Sequence, residues 1–174
     1  EHRRVRRWPW LVASPVLVLG VASAVSFTRP DAGTAAPAVV GGVRVEIPDD
    51  WRRTELAGEP APRAVFVEPG TGSRIVVAVS PLRAGATPES VAASLAERIR
   101  QRGDDAVSDF AARAQYAGQS VTAYRETPDS GAPIRWYVRV ADVEGRGMSQ
   151  VSVGCQDSGA AKFERACRRA VASV

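Results

Sequence analysis

Arg63-Ala-Val-Phe-Val-Glu68, then Pro69-Gly-Thr-Gly-Ser73, then Arg74-Ile-Val-Val-Ala-Val-Ser80 is the stretch on which the reading of the fold turns. Two runs rich in β-branched residues flank a short connection containing proline and two glycines, the pattern of a β-hairpin. The second run, Ile75 to Val79, is apolar at both parities of the two-residue strand repeat, so both of its faces are buried and it belongs in the middle of a sheet. Gly70-x-Gly72 could suggest a phosphate loop, but no helix start follows it and the hairpin accounts for both glycines.

Working outward from the hairpin, Val43, Val45 and Ile47 alternate with Arg44 and Glu46, and Pro48-Asp49-Asp50 closes that strand before Trp51. Downstream, Thr87-Pro88-Glu89 is a helix start, with a hydroxyl cap, proline in the first turn and an acid beside it, and Gly103 is the stop. Val91, Leu95 and Ile99, widened by Ala92 and Ala96, form one apolar face that lies on a sheet, while Glu97, Arg98, Arg100 and Arg102 point to solvent. Phe110 to Tyr116, Gln119 to Glu126, Ile134 to Asp142 and Met148 to Cys155 read as four more strands. Trp136, Val138 and Val140 share one face, and Val151, Val153 and Cys155 share the inward one. Ser158 is positioned to cap a closing helix with Phe163, Cys167, Ala170, Val171 and Val174 as its buried stripe. Sheet first, one helix, more antiparallel strands and a last helix predict an α+β domain over 43–174, a mainly antiparallel sheet packed with two helices around one core.

The first 42 residues read differently. Residues 1–7 carry Arg3, Arg4, Arg6 and Arg7 and run into an uncharged stretch, 8–27, flanked by Trp8, Trp10 and Phe27. About 20 apolar residues at ~1.5 Å each cross the ~30 Å hydrocarbon core, and arginines resist translocation, so 8–27 is predicted to be a single transmembrane helix with the N-terminus cytoplasmic. Ala22-Ser23-Ala24 would also suit signal peptidase, but a signal core runs only about 7 to 15 residues, and the length favours a retained anchor. Residues 28–42, rich in Pro, Ala and Gly, read as a linker to an extracytoplasmic domain.

Composition narrows the chemistry. Arg3, Arg4, Arg6, Arg7 and Arg29 against Glu1 account for the formal charge of +4, so basic and acidic residues balance from Asp31 onward. A neutral outer domain lacks the footprint of a nucleic-acid binder. The one histidine, His2, lies on the cytoplasmic side, which removes histidine general acid/base chemistry, histidine-dependent triads and histidine-ligated zinc from the outer domain. No G-x-S-x-G element is present, and no carboxylate pair stands out as an acid/base couple; Asp49-Asp50 and Asp104-Asp105 suit turns. The reading is non-enzymatic, without catalytic residues, metal or cofactor. Cys155 and Cys167, the only cysteines, are too far apart for a C-x-x-C motif and in an oxidising compartment are expected to form one disulfide clipping the final helix to a strand.

Single residues leave two readings open. Trp51 either covers the edge of the core or anchors a partner, and Glu126, on the same strand face as Tyr124, is expected to find a cross-strand partner such as Arg139 or a neighbour of Arg125. Trp136 reads as core.

Ile47-Pro48-x-x-Trp51-Arg52-Arg53, Gly118-Gln119-Ser120-Val121-x-x-Tyr124-x-Glu126, Trp136-Tyr137-Val138 and Val151-Ser152-Val153-Gly154-Cys155-Gln156 with the later Cys167, behind one membrane segment, resemble the C-terminal domain of the actinobacterial type VII secretion-associated protein family. The resemblance runs from the arginine cluster to the C-terminus, and its Val-Gly-Cys-Gln segment is the most specific part. The order of elements is also similar to the Mog1/PsbP-like fold. In the family this domain can follow a cytoplasmic Hsp70-like or actin-like ATPase-related region; the chain opens at Glu1 without one, so nothing about ATP carries over. What the resemblance implies is a membrane-anchored accessory of type VII secretion whose outer domain contacts secretion-complex subunits or substrates. Trp51, Arg52 and Arg53 are the candidate contact. The alternative is a module that binds a lipid or envelope ligand in an apolar groove.

Overall fold

A computed structural model describes residues 35–55 and 62–174. The basic flank 1–7, the membrane helix expected at 8–27 and the first part of the linker, 28–34, lie outside them. Among the described residues no helix is long and apolar enough to cross a membrane.

Among the described residues nine strands and two helices follow in the order β1 (Ala35–Val40), β2 (Val43–Pro48), β3 (Arg52–Glu55), β4 (Arg63–Val67), β5 (Arg74–Pro81), α1 (Pro88–Arg102), β6 (Val107–Tyr116), β7 (Gln119–Glu126), β8 (Ile134–Val143), β9 (Gly147–Gln156) and α2 (Phe163–Ser173). Seven of them form an antiparallel sheet ordered β3-β4-β5-β9-β8-β7-β6, and β1 pairs with β2 as a separate hairpin. The α+β class with a mainly antiparallel sheet and two helices is therefore as the sequence predicts. Ile75 to Val79 is central as expected: β5 sits between β4 and β9, and Ile75 and Val77 are fully buried.

The linker boundary is corrected. Its last part, Ala35–Val40, is a strand paired to β2 through Gly41 and Gly42, both at positive φ, and Val40 joins the main core. Pro37 and the alanines erase the alternation that would have marked it. The Gly-Gly step between two valine runs was the available signal.

The two faces of the large sheet hold separate cores. On one, α2 and the β1–β2 hairpin cover Phe66, Ile75, Val77, Val121, Tyr137 and Val153. On the other, α1 lays Val91 and Leu95 on Val138, with Phe110, Tyr124 and Val140 packed around them. Helix α1 begins as expected: the Thr87 hydroxyl accepts from the Ser90 N–H, the Ser90 hydroxyl accepts from the Thr87 N–H, and Gly103 ends the helix at φ 65°. Helix α2 does not begin at Ser158. It starts at Phe163 with no side-chain cap, because Asp157 Oδ1 accepts the Gly159 and Ala160 N–H groups in a turn of its own and the Ser158 N–H goes to Ser73 Oγ.

Trp136 is core, 8% exposed, and its placement explains Gly154. The two face each other across β8 and β9, and a Cβ on Gly154 would lie 2.8 Å from Trp136 Cζ3. Only a hydrogen at that position lets the indole fold flat over β9. On the other side Tyr124, its partner in β7, stacks on the indole at 6.3 Å, and Nε1–H donates to Glu126 Oε2 at 2.8 Å.

Candidate functional site

The expected contact trio does not assemble into one patch. Trp51 is half-buried against the main core and stacks on Phe163 at 6.2 Å. Arg53 lies over the Phe66 ring at 5.7 Å, whereas Arg52, the next residue along β3, projects to the opposite side of the strand. Trp51 thus serves the junction of β3 with α2. Glu126 does find a cross-strand partner, Trp136, with Arg102 3.6 Å away, but not Arg139: Glu126 stands opposite Ile134, and Arg139 lies past the last β7–β8 rung at Thr122↔Val138.

The cysteine reading holds. Cys155 on β9 and Cys167 on α2 form a disulfide with a Cα–Cα distance of 6.0 Å. The Tyr116 hydroxyl donates to Glu164 Oε1 at 3.0 Å and lies 3.3 Å from Cys167 Sγ, its ring stacks on Tyr137 at 4.0 Å, and Arg168 covers it at 5.4 Å. Beside the disulfide is a pocket of about 290 Å³ with Arg125 and Arg135 directly opposite each other on its wall. Glu164 and Asp157 share that pocket and balance its charge.

The more open concavity lies on the other side of the sheet. A groove of about 600 Å³ runs between α1 and strands β6 to β8. Val91, Ala92 and Ala96 form its helical wall, and Phe110, Val138 and Val140 its floor. Glu89 and Arg113 pair at its mouth at 2.7 Å. The Glu89 carboxyl is held below the usual carboxylate range first by its own backbone N–H at the helix start, then by the Thr87 side chain, with Arg113 assisting.

The groove exists because β6 is bent. Asp109 takes φ 53°, and the β6–β7 register shifts between Ser108 and Ala111 and again between Ala111 and Ala114. Bulges of this kind add twist to the bulged strand. The Thr122 hydroxyl satisfies the Ala112 carbonyl at 3.0 Å. The hairpin tip, Ala117-Gly118, has both φ values positive, and it curls toward α2, where Tyr116 meets Glu164 and Gln119 Nε2 donates to the Ala172 carbonyl at 3.2 Å. Sequence alternation cannot show bulges, so this site was not foreseen in position, only in kind.

Two tyrosines report on these packed regions. Burial, aided by the Glu126 carboxylate, pushes Tyr124 up to about 12, and burial, then Tyr137 and Glu164, pushes Tyr116 well above the ordinary tyrosine range. Both folded values lie above the unfolded one of about 10, so the stability they contribute is complete below pH 10 and is lost as pH rises through the folded values. The urea midpoint is expected to fall from about pH 10 to pH 12. Tyr124→Phe should flatten that fall, and an unchanged slope in the variant would refute the assignment.

Among the described residues no group of three or more histidine, cysteine, aspartate or glutamate side chains is arranged to hold a metal ion. No protein-family model matches the chain, and no curated protein does either.

Proposed function

We propose that the protein is a non-enzymatic, membrane-anchored accessory associated with type VII secretion, held by 8–27 with its N-terminus cytoplasmic. In this reading the extracytoplasmic domain contacts secretion-complex subunits or exported substrates. The motifs that resemble the secretion-associated family support it, and so does the arrangement of their residues: Tyr124, Glu126, Trp136 and Gly154 lie side by side on β7, β8 and β9. The Mog1/PsbP-like name for the fold is part of the same proposal. The disulfide suits a domain that matures outside the reducing cytoplasm.

The observation that carries the contact role is the α1–β6–β8 groove, apolar within and charged at its mouth. Its volume also favours a second reading, a lipid or envelope ligand, since small-molecule sites run from about 300 to 1,000 Å³. A photoreactive residue at Ala93 or Ala112, both exposed on the groove rim, placed in the full chain in living cells, separates the two. Capture of secretion-complex subunits or exported proteins is the expected result. Capture of lipid alone transfers the assignment to the second reading, and an empty crosslink at both positions removes the contact with secretion proteins.

A further inference from the structure

The ladder between β7 and β8 is incomplete. It runs from Glu126↔Ile134 to Thr122↔Val138 and stops, although β7 extends back to Gln119 and β8 continues to Val143. Past that point β7 stays with β6 as far as Tyr116↔Gln119, and β8 stays with β9 as far as Val143↔Gly147. The sheet forks, and the groove sits in the fork: Ser120 and Val121 line it from one prong, Arg139 and Val140 from the other. The bulges in β6 and the docking of Tyr116 and Gln119 on α2 hold the prongs apart.

A fork has a specific chemical consequence. Past Val138, alternate residues of β8 hydrogen-bond to β9, and the residues between them direct N–H and C=O groups into the gap, where no strand pairs with them among the described residues. A half-buried backbone edge without a partner is costly, and it is the recognition element for an extended chain. An acyl chain would cover Val138 and Val140 but leave those groups unmatched, which favours a peptide over a lipid as the occupant.

We infer that the fork between β7 and β8 binds an extended segment of a partner polypeptide, which adds to the free edge of β8 along Arg139–Val143 and turns alternate small or β-branched side chains toward Ala92, Ala96 and Phe110. Five residues at ~3.3 Å each match that edge. This deepens the contact reading of the groove and rests on it.

The test uses the full chain in phospholipid nanodiscs and a pentapeptide, acetyl-Ser-Val-Thr-Val-Ser-amide, beside the same peptide N-methylated at alternate amides. N-methylation removes ladder donors and keeps the side chains. The unmethylated peptide is expected to slow amide exchange of alternate residues within Arg139–Val143 by about tenfold or more, and the methylated one to leave it unchanged. Ala93→Trp, at an exposed position on the rim, should abolish the protection while the protein stays folded. Equal effects of both peptides, no effect of either, or protection of the same amides by self-association without peptide each overturn the inference. Failure here with capture of secretion proteins in cells removes only the edge-pairing mode. Peptide protection with no such capture removes the secretion role and leaves the fork.

Discussion

Cys167→Ser is expected to remove about 3 kcal/mol of stability, a large fraction of the roughly 5 to 15 kcal/mol that holds a domain of this size together. The bond joins β9 to α2 across 12 residues of sequence, and a cross-link that closes a loop of this length limits the freedom of the unfolded chain. In the folded state the cost is compounded. Cys155 and Cys167 are 3% and 1% exposed, and Tyr116 reaches Sγ and Glu164 together, so loosening α2 also loosens the β6–β7 tip. Urea unfolding followed by circular dichroism is the measurement, with the unsubstituted protein under reductant as control. The two should coincide at a lower midpoint than the oxidised protein, and a midpoint indifferent to both treatments would exclude the bond from the stability of the domain.

Trp136→Ala should cost about 3 to 5 kcal/mol, the range for emptying a buried aromatic site. Two features place it at the upper end. Gly154 offers no side chain that could move into the vacated space, and Tyr124 loses the ring on which it stacks. The substitution also removes the N–H donor to Glu126, although Arg102 remains near that carboxylate. Trp136→Phe separates the contributions: it keeps most of the apolar area and forfeits the hydrogen bond, for about 1 to 1.5 kcal/mol plus some packing loss. A loss below 1 kcal/mol for the alanine variant would show that the Tyr124–Trp136–Gly154 row does not support the sheet.

The parts of the fold legible from the chain are those where a period runs uninterrupted. Val91, Leu95 and Ile99 announce α1, and the apolar run Ile75 to Val79 announces the central strand because burial on both sides leaves no polar parity. The closing helix and its disulfide follow from the stripe around Cys167. Strand β3, Arg52-Arg-Thr-Glu55, is polar and charged as a sheet edge often is, so nothing in it distinguishes strand from loop. Strand β1 is obscured by alanine and Pro37. The groove was out of reach for a different reason: it arises from Asp109, from two register shifts and from a ladder that ends early, and each is a relation between strands that no single segment contains. Among single residues, Trp51 illustrates the ambiguity of an aromatic after a turn, which only the position of Phe163 resolves.

The strand order also governs when the domain can come into being. The sheet consists of one meander, β3-β4-β5, and another, β6 to β9, and the seam between them is β5 against β9. Among the described strands β9 is made last and α2 follows it, so the two halves cannot zip together, nor can the main core close over Ile75 and Val77, until β9 and α2 have been made. A chain made N-terminus first therefore keeps its two meanders apart, with the apolar faces of β5 and β8 uncovered, until β9 enters between them.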